Sequence, residues 1–215
     1  MRLEGRAIAW LGIFFLVLAW SAWKPHDYPT WWLEVLPAML ALVVLAATRR
    51  IFPLTPLVYA LILVHCVVLM IGGHYTYAEV PLGEWVLQWT GGERNNYDKL
   101  GHFVQGFVPA IIAREILIRK RIIARRGWLS FVVVSVCLAI SAFYELIEWW
   151  VALLSGEAAE SFLGTQGYAW DTQSDMFLAL TGAVLALVLL SGLHDRQIRT
   201  IAPRSVARRS RVGPD

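Results

Sequence analysis

Two glutamates lie in the middle of an apolar segment. Residues 138–154 read LAISAFYELIEWWVALL, and Glu145 and Glu148 are three residues apart within it. A carboxylate in hydrocarbon costs roughly 2.5 to 3.5 kcal/mol even on lenient insertion scales, so such residues usually face the protein interior and mark functional sites. Positions 141, 145 and 148 share one face of a helix, which adds Ser141 to a single polar stripe.

Other segments place acidic and histidine side chains at helical spacing. NNYDKLGHFVQGF carries a polar pattern at i, i+4 and i+7, and WDTQSDM carries two aspartates at i, i+4. The members of these patterns are Asp98, His102 and Gln105 in the first segment and Asp171 and Asp175 in the second. A third segment, HYTYAEVP, contributes His74.

These residue types suit a metal ion or acid–base chemistry. Mixed imidazole and carboxylate ligands favour Zn²⁺, Mn²⁺ or Fe²⁺, whereas carboxylates alone favour Mg²⁺ or Ca²⁺. The candidate ligands of a divalent metal ion are His74, Asp98, His102, Glu145, Asp171 and Asp175. Clustered carboxylates also shift one another's pKa values apart, as an acid–base pair requires. The catalytic candidates are Glu145, Glu148, His102 and Asp175.

The sequence contains no established catalytic motif that would decide between these chemistries. It has no HExxH, no cysteine-rich spacing, no G-x-S-x-G element and no phosphate-binding glycine loop. Structural explanations also stay open. Asn95-x-x-Asp98 and Thr172-x-x-Asp175 both fit capping boxes at helix starts. Glu34 could point to water.

Composition identifies the class of protein. Hydrophobic residues make up 58% of the 215 residues and charged residues only 16%, with a mean hydropathy of +0.56. Soluble domains carry about 25% charged residues. The eleven tryptophans and seven tyrosines are typical of membrane–water interfaces. Cys66 and Cys137 fall in apolar runs, where they are expected to be buried rather than to bind metal.

The sequence predicts an all-α polytopic membrane protein that forms one membrane domain over residues 1–215. Windows of about 19 residues indicate six spans. They cover residues 7–23, 31–48, 54–71, 98–118, 129–154 and 174–194, and residues 195–215 form a basic cytoplasmic tail. The longest connection, 72–97, is too short for a separate domain.

Positive charge predicts the orientation. Arginine and lysine concentrate in the segments expected on the same side as the N-terminus: residues 2–6, 49–50, 119–126 and the tail. The opposite connections carry only Lys24 and Arg94. The positive-inside rule therefore places both termini on the cytoplasmic side of the membrane. The candidate chemistry then lies at the outer leaflet.

The expected partners are membrane lipids. The net charge of +3 comes from the basic loop and tail, which suit the anionic inner leaflet and not nucleic acid. A homo-oligomer is compatible with this pattern.

The segments GGHYTYAEVPL, RNNYDKLGHFVQGFVPAIIARE, SAFYELIEWW and FLGTQGYAWDTQSDM resemble the YjdF-like family of bacterial inner-membrane proteins. DKLGH more distantly resembles the VanZ-like membrane proteins. The resemblance implies a polytopic inner-membrane protein and no particular activity. It marks as polar motif positions His74, Tyr75, Asp98, His102, Arg114, Glu115, Glu145, Glu148, Gln166, Asp171, Gln173 and Asp175.

Three classes of function remain open from the sequence. The favoured hypothesis is metal-assisted or acid–base chemistry on a lipid or lipid-linked headgroup at the outer leaflet. The alternatives are a non-catalytic envelope scaffold with a structural polar network and a proton- or cation-coupled transporter. Against transport, Arg114 and Glu115 are the only charged residues expected in the inner half of their helix.

Overall fold

The computed structural model describes residues 2–92, 94–123, 125–155 and 170–209. This part of the chain contains seven α-helices and one short 3-10 helix. In chain order the elements are α1 (Arg2–Ala22), α2 (Tyr28–Thr48), α3 (Pro56–Tyr75), the 3-10 helix (Tyr77–Glu79), α4 (Pro81–Thr90), α5 (Tyr97–Arg119), α6 (Arg126–Ser155) and α7 (Asp171–Arg209). Every α-helix except α4 is long and apolar enough to cross a membrane, which gives six candidate spans. The predicted all-helical architecture with six spans is confirmed.

Local signals in the sequence start α2 and α3. Asp27 caps α2, and its side chain accepts a hydrogen bond from the backbone N–H of Thr30 at 2.8 Å. The hydroxyl of Thr30, together with this backbone N–H, lowers the pKa of the Asp27 carboxyl below its ordinary value. Thr55 caps α3 in the same manner, directly before Pro56. Proline suits the first helical turn because its missing N–H would have no partner there.

Two elements differ from the sequence prediction. The connection 72–97 contains the ten-residue helix α4, which is too short for a membrane-length window to detect. Helix α7 continues past residue 194 to Arg209, so part of the predicted tail is helical. The hydropathy signal ends where the apolar residues end, whereas the backbone hydrogen bonds of a helix continue beyond them.

Helix α5 is central, because it packs against α3, α6 and α7. Its contact with α7 depends on two glycines. A methyl group added to Gly106 would overlap the backbone carbonyl of Ala179, and one added to Gly182 would overlap that of Phe103. Small residues at such crossings let two membrane helices approach closely and gain packing energy.

We call the end of the bundle that contains α4, the N-terminal ends of α5 and α7 and the C-terminal ends of α3 and α6 the outer end. The predicted orientation places it at the outer leaflet.

We expect Gly106→Ala to destabilise the protein, because the new methyl group forces α5 away from α7. Gly192→Ala is the matched control on α7, since no atom lies within 4 Å of the added Cβ. Alanine is favoured over glycine in a helix by about 1 kcal/mol, so the control should be neutral or slightly more stable. Thermal unfolding in detergent measures both variants. Equal stabilities would contradict the close α5–α7 contact.

Candidate functional site

A polar cavity of about 210 Å³ lies at the outer end, between α2, α3, the 3-10 helix, α5, α6 and α7. Its polar lining residues are Glu34, His65, Tyr77, Asp98, His102, Gln105, Tyr144, Glu145, Glu148, Asp171, Thr172 and Asp175. The cavity therefore collects the polar stripes of α5, α6 and α7 in one place. Pro37 of α2 and Pro109 of α5 also line it.

Three ligand-type side chains converge inside the cavity. One ligand atom each from Asp98, His102 and Asp175 lies within 4.8 Å of the others. Nε2 of His102 is 3.3 Å from Oδ1 of Asp98 and 4.0 Å from Oδ2 of Asp175. Neighbouring ligands of a tetrahedral ion with bonds of about 2.1 Å are about 3.4 Å apart. Small side-chain movements would thus let the three residues hold one divalent ion.

The other ring nitrogen of His102 is also engaged. Nδ1 lies 3.2 Å from Oε1 of Gln105 and 3.8 Å from Oε1 of Glu145. When Nδ1 donates its proton to Oε1 of Gln105, the lone pair on Nε2 is left to bind a cation. Metal-ligating histidines are commonly oriented in this way by a second acceptor.

Lys99 fixes the two aspartates of α7. Its Nζ donates to Oδ1 of Asp171 at 2.6 Å, to Oδ1 of Asp175 at 2.7 Å and to Oγ of Ser174 at 2.6 Å. Arg94 donates to the other oxygen of Asp171 at 3.0 Å. Both oxygens of Asp171 therefore serve ion pairs. Asp175 keeps Oδ2 directed at His102.

The cavity contains carboxylate oxygens without a hydrogen-bond partner. Oε2 of Glu34 and Oε1 of Glu145 are buried and accept no hydrogen bond within the described ranges. Glu34 is 5% exposed, and the side chain of Glu145 is 9% exposed. An unsatisfied buried polar group costs roughly 1 to 3 kcal/mol, and a charged one costs more. Such oxygens need a proton or a cation.

Tyr77 closes one side of the cavity from between two glycines. A Cβ added at Gly72 of α3 or at Gly101 of α5 would overlap the Tyr77 ring, so both positions need a residue without a side chain. Burial, with the nearby charge of Glu34, raises the pKa of the Tyr77 hydroxyl well above its ordinary value. Tyr77 therefore stays protonated and presents a hydrogen-bond donor. The ring of Tyr144 packs edge-on at 6.2 Å from the ring of His102.

His74 does not line this cavity, and the structure places it against α1 instead. Its Nδ1 lies 3.0 Å from the carbonyl oxygen of Ser21, and its ring packs at 4.4 Å from Trp20. His74 thus joins α3 to α1. Residue spacing predicts the end of α3 at which His74 lies, but not the neighbour that its helix face meets.

The two capping boxes do not form as the sequence suggested. The side-chain oxygen of Asn95 accepts from the backbone N–H of Tyr97, while Asp98 faces His102. Thr172 lies inside α7 rather than before it, and Asp175 pairs with Lys99.

Sequence reasoning missed three members of the site. Glu34, Lys99 and Tyr77 surround the predicted residues. The signal for Glu34 was present, since a glutamate within an apolar span is expected to face the protein interior. The close approach of Gly73 to Glu34 confirms this packing, because a Cβ added to Gly73 would lie 3.2 Å from Cβ of Glu34.

Of the other positions that the family resemblance marks, Gln173 is exposed, and Gln166 lies outside the described residues.

Comparison with known proteins identifies relatives of this chain. Residues 6–196 match the family described as Predicted membrane protein (DUF2238). The chain belongs to that family. It is 54% identical over 184 residues to the inner membrane protein YjdF of Escherichia coli strain K12, which covers 86% of this chain and 88% of that protein. No solved structure matches the chain.

These matches confirm the resemblance to YjdF-like proteins and the predicted location in the inner membrane. The family description and the name of the relative, together with six apolar helices, make this a multi-pass protein of the bacterial inner membrane.

A second polar network lies at the opposite end of this DUF2238 protein. Glu115 is fully buried, and its carboxylate accepts from both the backbone N–H and the hydroxyl of Thr55, the latter at 2.7 Å. Arg119 donates to it at 2.6 Å, and Nε2 of His194 lies 3.0 Å away. From the sequence, Arg114 and Glu115 are only the charged residues of the inner half of their helix. The structure shows that they are part of a network that joins the start of α3 to α5 and α7.

The network fixes the proton position on His194. Nδ1 of His194 lies 3.1 Å from a guanidinium nitrogen of Arg114, and arginine only donates hydrogen bonds. Nδ1 must therefore accept, and the ring proton sits on Nε2, where it is donated to Glu115. Arg114 also pairs with Asp195 at 2.6 Å. Each side chain of this network has a hydrogen-bond or ion-pair partner, and the network holds the inner end together.

We expect Glu115→Leu to destabilise the protein by about 2 kcal/mol or more, because it leaves several buried donors unpaired. Glu79→Leu is the matched control, since its carboxylate pairs with His26 at an exposed site where ion pairs contribute little. Thermal unfolding in detergent measures the difference. A loss no larger than that of the control would contradict a structural role for the inner network.

Proposed function

We propose that this inner-membrane protein binds a divalent metal ion on Asp98, His102 and Asp175. With the ion it hydrolyses a bond in the headgroup of a lipid or lipid-linked substrate at the outer leaflet. The observation that carries the proposal is the convergence of these three ligand atoms beside two buried carboxylate oxygens that have no hydrogen-bond partner in the described part of the chain.

The charge balance of the cavity supports a bound cation. Among the described residues six carboxylic acids line it; Lys99 pairs with Asp171 and Asp175, and Arg94 pairs with Asp171. Two like charges 4 Å apart repel by about 4 kcal/mol at an effective dielectric constant of about 20. Several ionised carboxylates beside one histidine are therefore unstable without protons or a metal ion. A divalent ion at His102 would offset the repulsion among all of them.

The remaining residues fit hydrolysis. Three protein ligands leave coordination positions for a water molecule, whose pKa a divalent ion lowers. In the proposed step Oε1 of Glu145 would accept a proton from the water as the water oxygen bonds to the electrophilic atom of the substrate. As the bond between that atom and the leaving oxygen breaks, the pair formed by Glu145 and Glu148 would donate the same proton to the leaving oxygen. The hydroxyls of Tyr77 and Tyr144 can donate to the charge that develops.

The position of the cavity favours a headgroup as substrate. The Asp98 side chain is 25% exposed, so the cavity opens at the outer end. Towards the inner end the packing is apolar, with buried Val108, Ile111, Val133 and Ala183 between the cavity and the Glu115 network. In this conformation the described residues provide no continuous polar path across the membrane. The site is accessible from one side, as an interfacial enzyme requires.

We expect the purified protein to bind close to one equivalent of a divalent metal ion and His102→Ala to bind much less. A ligand that binds only the folded state stabilises it by RT ln(1 + L/Kd), where L is the concentration of free ligand. A chelator should therefore lower the unfolding temperature of the unmodified protein but not that of His102→Ala. His26→Ala, a histidine at an exposed pair with Glu79, is the control and should retain the metal. Equal metal content in all three proteins would refute the assigned ligands.

A double variant separates function from packing. If Glu145 and His102 only satisfied each other, replacing both with leucine would restore the stability lost in the single variants, roughly 1 to 3 kcal/mol, and keep function. For a functional site, we expect Glu145→Leu with His102→Leu to be stable and membrane-inserted but inactive. The measurements are thermal stability in detergent and complementation of a deletion strain. Full complementation by the stable double variant would support the scaffold alternative instead.

A further inference from the structure

Helix α4 exposes one apolar face. Leu82, Trp85, Val86 and Trp89 follow the i, i+3, i+4, i+7 spacing of a single helical face. Their exposed fractions are 49%, 68%, 50% and 95%. Two tryptophans and two aliphatic side chains on a helix of ten residues form a continuous apolar surface that no described residue covers.

The opposite side of α4 is fixed to the bundle by Asn95. The Asn95 amide nitrogen donates to the carbonyl of Val80 at 3.0 Å and to Oε1 of Glu84 at 3.3 Å. Gly83 packs so closely on Asn95 that any side chain there would overlap it. Since the oxygen of Asn95 also accepts from the backbone of Tyr97, α4 is tied to the start of α5. The helix therefore cannot rotate its apolar face inward.

The depth of α4 follows from its neighbours. It connects the outer ends of α3 and α5, which both span the membrane. Exposed tryptophans lie at the same end of three other helices: Trp23 just after α1, Trp150 near the end of α6 and Trp170 just before α7. Tryptophan rings concentrate at membrane–water interfaces. Their positions place α4 at the level of the lipid headgroups.

We propose that α4 lies in the plane of the outer membrane–water interface, with the face formed by Leu82, Trp85, Val86 and Trp89 in contact with the acyl-chain boundary of the phospholipids. An amphipathic helix with tryptophan and leucine on one face binds a bilayer in this way. The face carries no charged residue. Its length of about 15 Å keeps it within one leaflet. The apolar face of α4 is thus covered by lipid of the same membrane that the six spans cross.

Contact of individual side chains with lipid can be measured by spin labelling. The background is Cys66→Ala with Cys137→Ala, which removes the two native cysteines, both buried. Single cysteines at Leu82, Trp85 and Trp89 report on the apolar face. Gln88→Cys is the matched control, because Gln88 is exposed on the same helix but lies away from that face. The labelled proteins are studied in nanodiscs of phosphatidylethanolamine and phosphatidylglycerol.

Collisions with oxygen, which partitions into lipid, are compared with collisions with a water-soluble nickel chelate. We expect labels at positions 82, 85 and 89 to show a several-fold higher ratio of oxygen to nickel collisions than the label at position 88. The three positions test the same face independently, so failure of one variant to fold leaves the other two informative.

Two results would overturn the proposal. Nickel collisions as frequent at 82, 85 and 89 as at 88 would place the face in water. Labels at these positions that neither reagent reaches would show that protein, either a second copy or another segment of the chain, covers the face instead of lipid.

Discussion

The salt bridges of Lys99 hold together the two helices on which the outer site is built. Its ammonium group on α5 reaches Asp171 and Asp175 on α7, while Gly106 and Gly182 bring the two backbones into contact just below. An ion pair of this kind, partly shielded from water, is far stronger than the same pair on an exposed surface. Because Asp175 is held on one oxygen by Lys99, its other oxygen faces His102. The geometry of the cluster of Asp98, His102 and Asp175 thus depends on a residue outside that cluster.

The two polar networks of the bundle differ in one respect. At the inner end Glu115 accepts hydrogen bonds from Thr55, Arg119 and His194. At the outer end Glu34 and Glu145 each keep a buried oxygen that has no hydrogen-bond partner among the described residues. A network that serves only packing is expected to satisfy its members, since each unsatisfied group lowers stability. The unpaired carboxylate oxygens of the outer network therefore favour a bound ligand over a purely structural role. This difference separates the two ends of the bundle, although their polar residue types are similar.

Glycine and aromatic residues shape the site more than charge does. The Tyr77 ring fits between Gly72 and Gly101, which places its hydroxyl at the cavity and closes the side between α3 and α5. Gly73 brings α2 close enough to α3 for Glu34 to enter the same cavity. Membrane helices lack a hydrophobic driving force between them, so close backbone contacts of this kind contribute much of the packing energy. The same contacts determine which polar side chains meet.

The sequence by itself determined the six spans, the inner-membrane class and the end of the bundle at which the polar residues lie, because hydropathy and helical spacing are local properties. It also placed Asp98, His102 and Asp175 on faces that could meet. Only the tertiary structure decided that His74 packs against α1 and that Glu34 and Tyr77 line the cavity instead. The inner contact of Glu115 with His194, 79 residues away, was equally invisible. Spacing fixes the face on which a side chain lies, but the neighbour of that face depends on how the helices are rotated and packed.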